Sequence, residues 1–298
     1  MKLFKTLPII LTLIFGGSAF AQVSPLSVQF QEIVKDKKAT VGIAVYNFTT
    51  KDTVTFNNTP DYPTLSVYKF HVALAVLHLV DQGKLRLDQD IFVKKSELLE
   101  NTHSPLRENY PYGNINIKLS ELLSYMVALS DNNACDILFR LAGGTKKVDR
   151  YIKNLKIKDT RITATEEEMH LKWENQYLNT TSPLAAVQLL QQFYQMKILS
   201  PTSYDYLLNV MLGTKTGPDK LKGLLPKDIL VAHKTGSSFR SKEGLKAAEN
   251  DIGIVFLPGG QTYAIAVFVK NSMEDDTTNN TIIAKVSKAV FDHYSIKK

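Results

Sequence analysis

The chain has 298 residues, 44% of them hydrophobic and 22% charged, with a formal charge of +7. That is the make-up of an ordinary globular protein, long enough for one large domain or two intimately joined lobes. The lysines are dispersed, with no block of like charge and no interleaved aromatics, which argues against a nucleic-acid partner, and the single Cys135 excludes an intramolecular disulfide.

The chain opens MKLFKTLPIILTLIFGGSAFAQ, with Lys2 and Lys5, an apolar run over 7–15 and a small-residue site at Ala19-Phe20-Ala21. This has the form of a secretory signal peptide over 1–21, too short and wrongly flanked for a membrane span. No cysteine follows it and no later run of 18 apolar residues exists, so the expected mature protein is periplasmic, without a membrane anchor. About 277 residues remain after cleavage, at +5, and a monomer is the default expectation.

Two strands follow in ATVGIAVYNFTTKDTVTFNN, where Val41, Ile43 and Val45 alternate, Thr50-Lys51-Asp52 turns, and Val54 and Phe56 alternate again. The period then becomes helical over 66–82, ending at Gly83, and again in IKLSELLSYMVAL and in NNACDILFRLA, which stops at Gly143-Gly144. Ser182-Pro183 and Ser200-Pro201 each place a capping hydroxyl before a proline at the first helical position. Strands return in ILVAHKTGSS, NDIGIVFLP and QTYAIAVFVK, the last two joined at Pro258-Gly259-Gly260, and NNTIIAKVSKAVFDHY closes the chain as a helix.

Strands at both ends with helices between predict an α/β fold of the α+β kind, an antiparallel sheet assembled from the two termini. The expected lobes are 22–57 with 211–298, and a mostly helical insert over 58–210. A cleft along their boundary is the expected place for a small-molecule site.

Three short motifs fall in this frame. Ser66 and Lys69, in TLSVYKFHVA, stand one helical turn apart on a shared face. Ser130-Asp131-Asn132 joins two predicted helices, where all three residue types are also good caps. Lys234-Thr235-Gly236 ends a run of β-type residues. The same tripeptide at Lys215-Thr216-Gly217 sits before Pro218 with no alternating apolar run, and is set aside. Taken singly, each motif has a structural explanation. Together and in this order, S-x-x-K, S-D-N and K-T-G are the trio of class A β-lactamases and penicillin-binding proteins.

The mature chain, including GLLP at 223–226, thus resembles a class A serine β-lactamase, and most closely the extended-spectrum branch of that class. An alcohol is a weak nucleophile, so Ser66 needs Lys69 as a base within reach, with Lys234 as a second cation lowering the amine's proton affinity. The resemblance implies that Ser130 passes a proton to the departing nitrogen and that Asn132 holds an acylamide. It also implies an oxyanion hole of the Ser66 and Ser237 N–H groups, with Thr235 and Ser237 hydroxyls near a substrate carboxylate. No metal or organic cofactor is implied, and the partners are small β-lactams.

The loop TATEEEMHLKWENQYLNTTSP decides between hydrolase and covalent trap. Aligning Met169 with the family's apolar position selects Glu166 as the carboxylate that activates the deacylating water. His170 replaces the common Asn beside that water, and its protonation would make turnover pH-sensitive. The usual Arg–Asp closure of the 161–181 loop is replaced by Ala164 and Asn179, so the loop must be held differently, and a roomy, cephalosporin-accepting site is expected. Lys220 stands for an Arg that supports the substrate carboxylate, and keeps the charge without the bidentate fork. His103 takes an aromatic position at the cleft mouth. The alternatives are a penicillin-binding DD-peptidase and a β-lactam sensor that stays acylated.

Overall fold

The computed structural model describes residues 25–295, so the expected signal peptide lies outside the described residues. Ahead of the first strand stands a helix the strand-first reading lacks, α1 (Pro25–Val34), which buries only Leu26 and Phe30. Two buried positions in ten leave a weak helical period. The strands β1 (Thr40–Asn47) and β2 (Thr53–Phe56) follow, then the short β3 (Tyr62–Pro63) and α2 (Tyr68–Asp81), entered through a 3-10 turn over Leu65–Val67.

The helical insert then contains β4 (Asp90–Val93), α3 (Pro105–Asn109), β5 (Ile115–Lys118), α4 (Leu119–Ala128), α5 (Asn132–Ala142) and α6 (Thr145–Asn154). After these come β6 (Thr160–Arg161), α7 (Glu166–His170), β7 (Thr180–Thr181), α8 (Pro183–Tyr194) and α9 (Pro201–Leu212). The chain closes with β8 (Val231–Ser237), β9 (Lys246–Phe256), β10 (Thr262–Ser272) and α10 (Asp276–Ser295).

Local chemistry sets several of these bounds. The Ser182 hydroxyl accepts the Ala185 N–H at 3.1 Å, and the Ser200 hydroxyl accepts the Ser203 N–H at 3.3 Å, so both Ser-Pro pairs cap as expected. α5 stops where Gly143 turns left-handed at φ 87°, a conformation that penalises any side chain.

The main sheet runs β2-β1-β10-β9-β8, antiparallel throughout, so the first and last strands of the chain are neighbours near its middle. Alternation sorts its two faces. Val41, Ile43, Val45, Ile265 and Val267 pack with α1 and α10, whose Ile283, Val286 and Val290 are buried. Ala44, Ala264, Ala266 and Phe268 face the helical insert, and the small side chains of the three alanines let α8 lie close on β1 and β10. β8 is one of the two edge strands, and its free edge looks onto the 3-10 turn that carries Ser66.

Candidate active site

Ser66, Ser130, Glu166, Thr235 and Ser237 line one cleft of about 380 Å³ between β8 and the helical insert. The turn holding Ser66 is fixed from two sides. Asn250 on β9 donates to Pro63 O at 2.8 Å, and Thr64 N donates to Asn179 O at 2.9 Å. Leu65, just before the serine, holds φ at +42°, a strained value for a branched residue. A Cβ on Gly236 would lie 2.6 Å from Thr64 O and 3.2 Å from Ser66 N, so only glycine lets β8 come this near.

Strand register aims Ser237. Phe256 N donates to Leu230 O, and Ser238 N to Ala248 O at 2.9 Å, so even-numbered residues of β8 make the hydrogen-bonded pairs with β9. Ser237, opposite Glu249, therefore belongs to a non-hydrogen-bonded pair, and its N–H points off the free edge towards the Ser66 turn.

Lys69 is fully buried on the first turn of α2. Its ammonium donates to Ser130 O at 2.7 Å and to Asn132 Oδ1 at 2.5 Å, and lies 3.1 Å from Glu166 Oε1. Among the described residues it makes no hydrogen bond to Ser66 Oγ; such contacts often tighten only when substrate is bound. Lys234, also fully buried, donates to Ser130 Oγ at 3.0 Å and to Thr235 O at 2.9 Å. Burial, then the Lys69 charge, holds the Lys234 ammonium well below the usual lysine range. Lys69 has the Glu166 carboxylate against it as a counter-charge.

The Ser-Asp-Asn junction divides its labour. Asp131 is the cap of α5, accepting Ala134 N at 2.8 Å, and it also accepts Leu106 N at 2.6 Å. That leaves Ser130, at φ +59°, and Asn132 free to face the cleft. Asn132 Nδ2 donates to Thr102 Oγ1 at 2.6 Å, which orients the amide oxygen onto Lys69. His103 lines the cleft, its Nε2 donating to Leu129 O at 2.9 Å.

Glu166 is buried at the start of α7, which opens on a capping box between Thr165 and Glu168. Sequence reasoning missed its anchor. Asp136, one turn after Asn132 on the same face of α5, accepts Glu166 N at 2.8 Å and Glu167 N at 2.9 Å. That i, i+4 spacing was the available signal. Burial pushes the Asp136 carboxyl up to about 7, against the downward pull of those two amides.

His170 Nδ1 lies 2.7 Å from Glu166 O. A carbonyl only accepts, so the proton sits on Nδ1, and in the neutral ring Nε2 is left as an acceptor. The 161–181 loop is closed by an amide instead of an ion pair. Asn179 Oδ1 accepts Thr163 N at 2.8 Å and Ala164 N at 3.0 Å, while Nδ2 donates to Ala164 O at 2.8 Å. The loop is thus held differently from the Arg–Asp pattern, as expected.

Two residues sit elsewhere than expected. Lys220 is buried behind β8, outside the lining of the cleft, where its Nζ donates to Ser237 Oγ at 3.0 Å and pairs with Glu249. The Ser237 hydroxyl donates to that same Glu249. The reason is register: Glu249 is the direct partner of Ser237 in the ladder, and nothing local in the sequence marks it. Thr216, in the copy of the tripeptide set aside, lies in the loop after α9. Even so it lines the cleft, with its hydroxyl 2.6 Å from that of Thr235. Cys135 is buried and its thiol is pushed up by burial. Among the described residues no group of three metal-ligating side chains gathers.

A mixed α/β body of helices packed on one antiparallel sheet is the architecture of the class A β-lactamases. The chain belongs to that family: the model of the beta-lactamase enzyme family matches residues 25–294. A Bacteroides uniformis beta-lactamase is 44% identical over 91% of this chain and 92% of its own. The extended-spectrum beta-lactamase PER-1 of Pseudomonas aeruginosa is 43% identical over 93% of this chain and 90% of its own. Among solved structures, the TLA-1 extended-spectrum beta-lactamase superposes with a TM-score of 0.89 at 52% identity, covering 91% of this chain and 98% of that one.

Proposed function

We propose that this protein hydrolyses the amide bond of penicillins and cephalosporins through an acyl-enzyme on Ser66, and so confers antibiotic resistance as an exported periplasmic enzyme. The observation that carries the reading is the cluster around the Ser66 turn, with Lys234 on the Ser130 hydroxyl and Lys69 set between the Ser130 carbonyl and Glu166. In acylation Lys69 acts as the neutral amine: it takes the Ser66 proton as Oγ bonds to the lactam carbonyl carbon and the C–N bond breaks, and Glu166 balances the ammonium so formed. The oxyanion is received by the N–H groups of Ser66 and Ser237, each such donor being worth about 2.7–4 kcal/mol in the transition state. Ser130, held by Lys234, hands a proton to the departing nitrogen and regains one from the Lys69 ammonium, which returns Lys69 to the neutral amine. Lys234, with the Thr235 and Thr216 hydroxyls, attracts the substrate carboxylate. Asn132 holds the acylamide, with His103 at the mouth of the cleft.

Deacylation then needs a water between Glu166 and the ester. Glu166 takes its proton, the hydroxide adds to the ester carbon, and Ser66 leaves as the alcohol. His170 Nε2, an acceptor in the neutral ring, supports that water. A roomy, cephalosporin-accepting site is supported by a second hollow beyond Phe239, about 670 Å³, lined by Trp173, Arg240, Leu245 and Met273.

The first test is the absorbance time course of the mature protein with excess chromogenic cephalosporin. Sustained turnover is expected; a burst of one equivalent followed by silence would move the assignment to a DD-peptidase or a sensor. Glu166→Gln should retain the burst and lose sustained turnover, leaving a trapped acyl-enzyme visible by mass spectrometry. Normal turnover of that variant would remove Glu166 from deacylation.

A further inference from the structure

Behind the cleft wall lies a buried charge cluster that the mechanism does not use. Glu249, 2% exposed, stands directly opposite Ser237 in a non-hydrogen-bonded pair, the kind in which facing side chains come closest. Its Oε1 meets both the Ser237 hydroxyl and the Lys220 ammonium, and its Oε2 meets the Lys246 ammonium. Lys246 reaches outward to Asp276 at 2.8 Å, and Arg240 joins Asp276 at 2.5 Å. Lys220 also donates to Ser237 Oγ at 3.0 Å and to Asn250 O at 3.4 Å.

These partners fix the direction of every proton. An ammonium only donates and an ionised carboxylate only accepts, while a serine hydroxyl has a single proton. The order is therefore Lys220 to Ser237 to Glu249. Ser237 lines the cleft, yet its proton points into the wall, and what it presents to a substrate is a lone pair. A lone pair repels a carboxylate instead of binding it.

We propose that Glu249 is a positioning residue that sets substrate specificity: by holding the Ser237 proton and balancing Lys220 behind β8, it weakens the selection for a carboxylate at that end of the cleft. Recognition of the anion then rests on Lys234, Thr235 and Thr216, and substrates with an altered or masked carboxylate are tolerated better. The inference rests on the carboxylate subsite assigned above.

The test compares one chromogenic cephalosporin as its free acid and as its methyl ester, with native enzyme, Glu249→Met, and Glu249→Met combined with Lys220→Met, methionine being unable to take the Ser237 proton as a glutamine oxygen would. The single variant adds one positive charge to the cluster. The double variant keeps the net charge and frees the Ser237 hydroxyl from both partners, and it guards against misfolding of the single variant, in which Lys220 is buried without its counter-charge while Lys246 keeps Asp276. The ratio of kcat/KM for acid over ester should rise about fivefold in both variants, through a lower KM for the acid, because a hydrogen bond to a charged group becomes available. A merely structural role would lower activity on both substrates alike and leave the ratio where it was, and that outcome overturns the proposal. A rise in the single variant alone would assign the effect to the added charge and would also overturn it. Native enzyme that hydrolyses acid and ester with equal KM would instead remove the carboxylate subsite itself.

Discussion

Asn179 does with one neutral amide what an ion pair would do at a loop neck. It is fully buried, both ends of its side chain are engaged, and three of its bonds go to backbone atoms of Thr163 and Ala164, with a fourth from Nδ2 to Met169 Sδ at 3.5 Å. An amide can accept from two N–H groups and donate to a carbonyl at once without burying charge. Asn179→Ala strands those three groups and should cost about 3 kcal/mol, a fall of roughly 5–10 °C in Tm by calorimetry. A shift under about 2 °C would show that the loop is held elsewhere. His71, fully buried in α2, offers a test of a different kind, since burial pushes its imidazole down to about 4. Between pH 6.5 and 4 the unfolded chain binds a proton that the folded protein refuses, so stability falls as pH drops through that window, by about 3 kcal/mol. His71→Leu should flatten this part of the pH–Tm profile; an unchanged slope would assign it to other groups.

At the scale of elements, the proposed role of Glu166 depends on where a short helix begins. α7 is only five residues long and cannot hold itself; Asp136 on α5 holds its first two amides. The carboxyl's raised proton affinity makes this anchor conditional. Between pH 3.8 and 7 the folded protein keeps a proton that the unfolded chain has lost, so the group's contribution to stability declines as pH rises across that window, by ~4 kcal/mol. Asp136→Asn removes the buried charge but turns one acceptor into a donor facing an N–H. Its Tm should exceed that of the native protein at pH 8 and match it near pH 5. Its kcat should fall about tenfold as Glu166 loses its placement, since loss of a charge-assisted bond is worth 1.5–3 kcal/mol. Equal kcat would show that α7 is positioned without Asp136.

For the whole molecule, the sheet is the joint between the two ends of the chain. β1 pairs with β10, and α10 covers one face with Ile282, Ile283, Val286, Val290 and Phe291. Burying five such side chains is worth about 1.5–3 kcal/mol each, comparable to the total stability of a domain. Truncation before Asp276 should therefore abolish the cooperative thermal transition, and not merely lower its midpoint. A truncated chain that still melts cooperatively would show that the helical insert folds as an independent unit.

What the sequence determined by itself was whatever depends on residues a few positions apart. The Ser66 to Lys69 spacing, the caps at Ser182 and Ser200, the stop at Gly143 and the alternation in β1 all follow from the periods of helix and strand. Propensity was too weak for α1, where only Leu26 and Phe30 face the core. Tertiary structure alone decided which distant residues meet. Asn179 reaches back to Ala164, Asp136 crosses to Glu166, Thr216 joins Thr235, and Glu249 takes the proton of Ser237. In the last case the register of β8 against β9 settles the outcome, because a slip of one residue would turn Glu249 to the other face of the sheet. Register is set by the packing of the whole sheet, so no short stretch of sequence carries it.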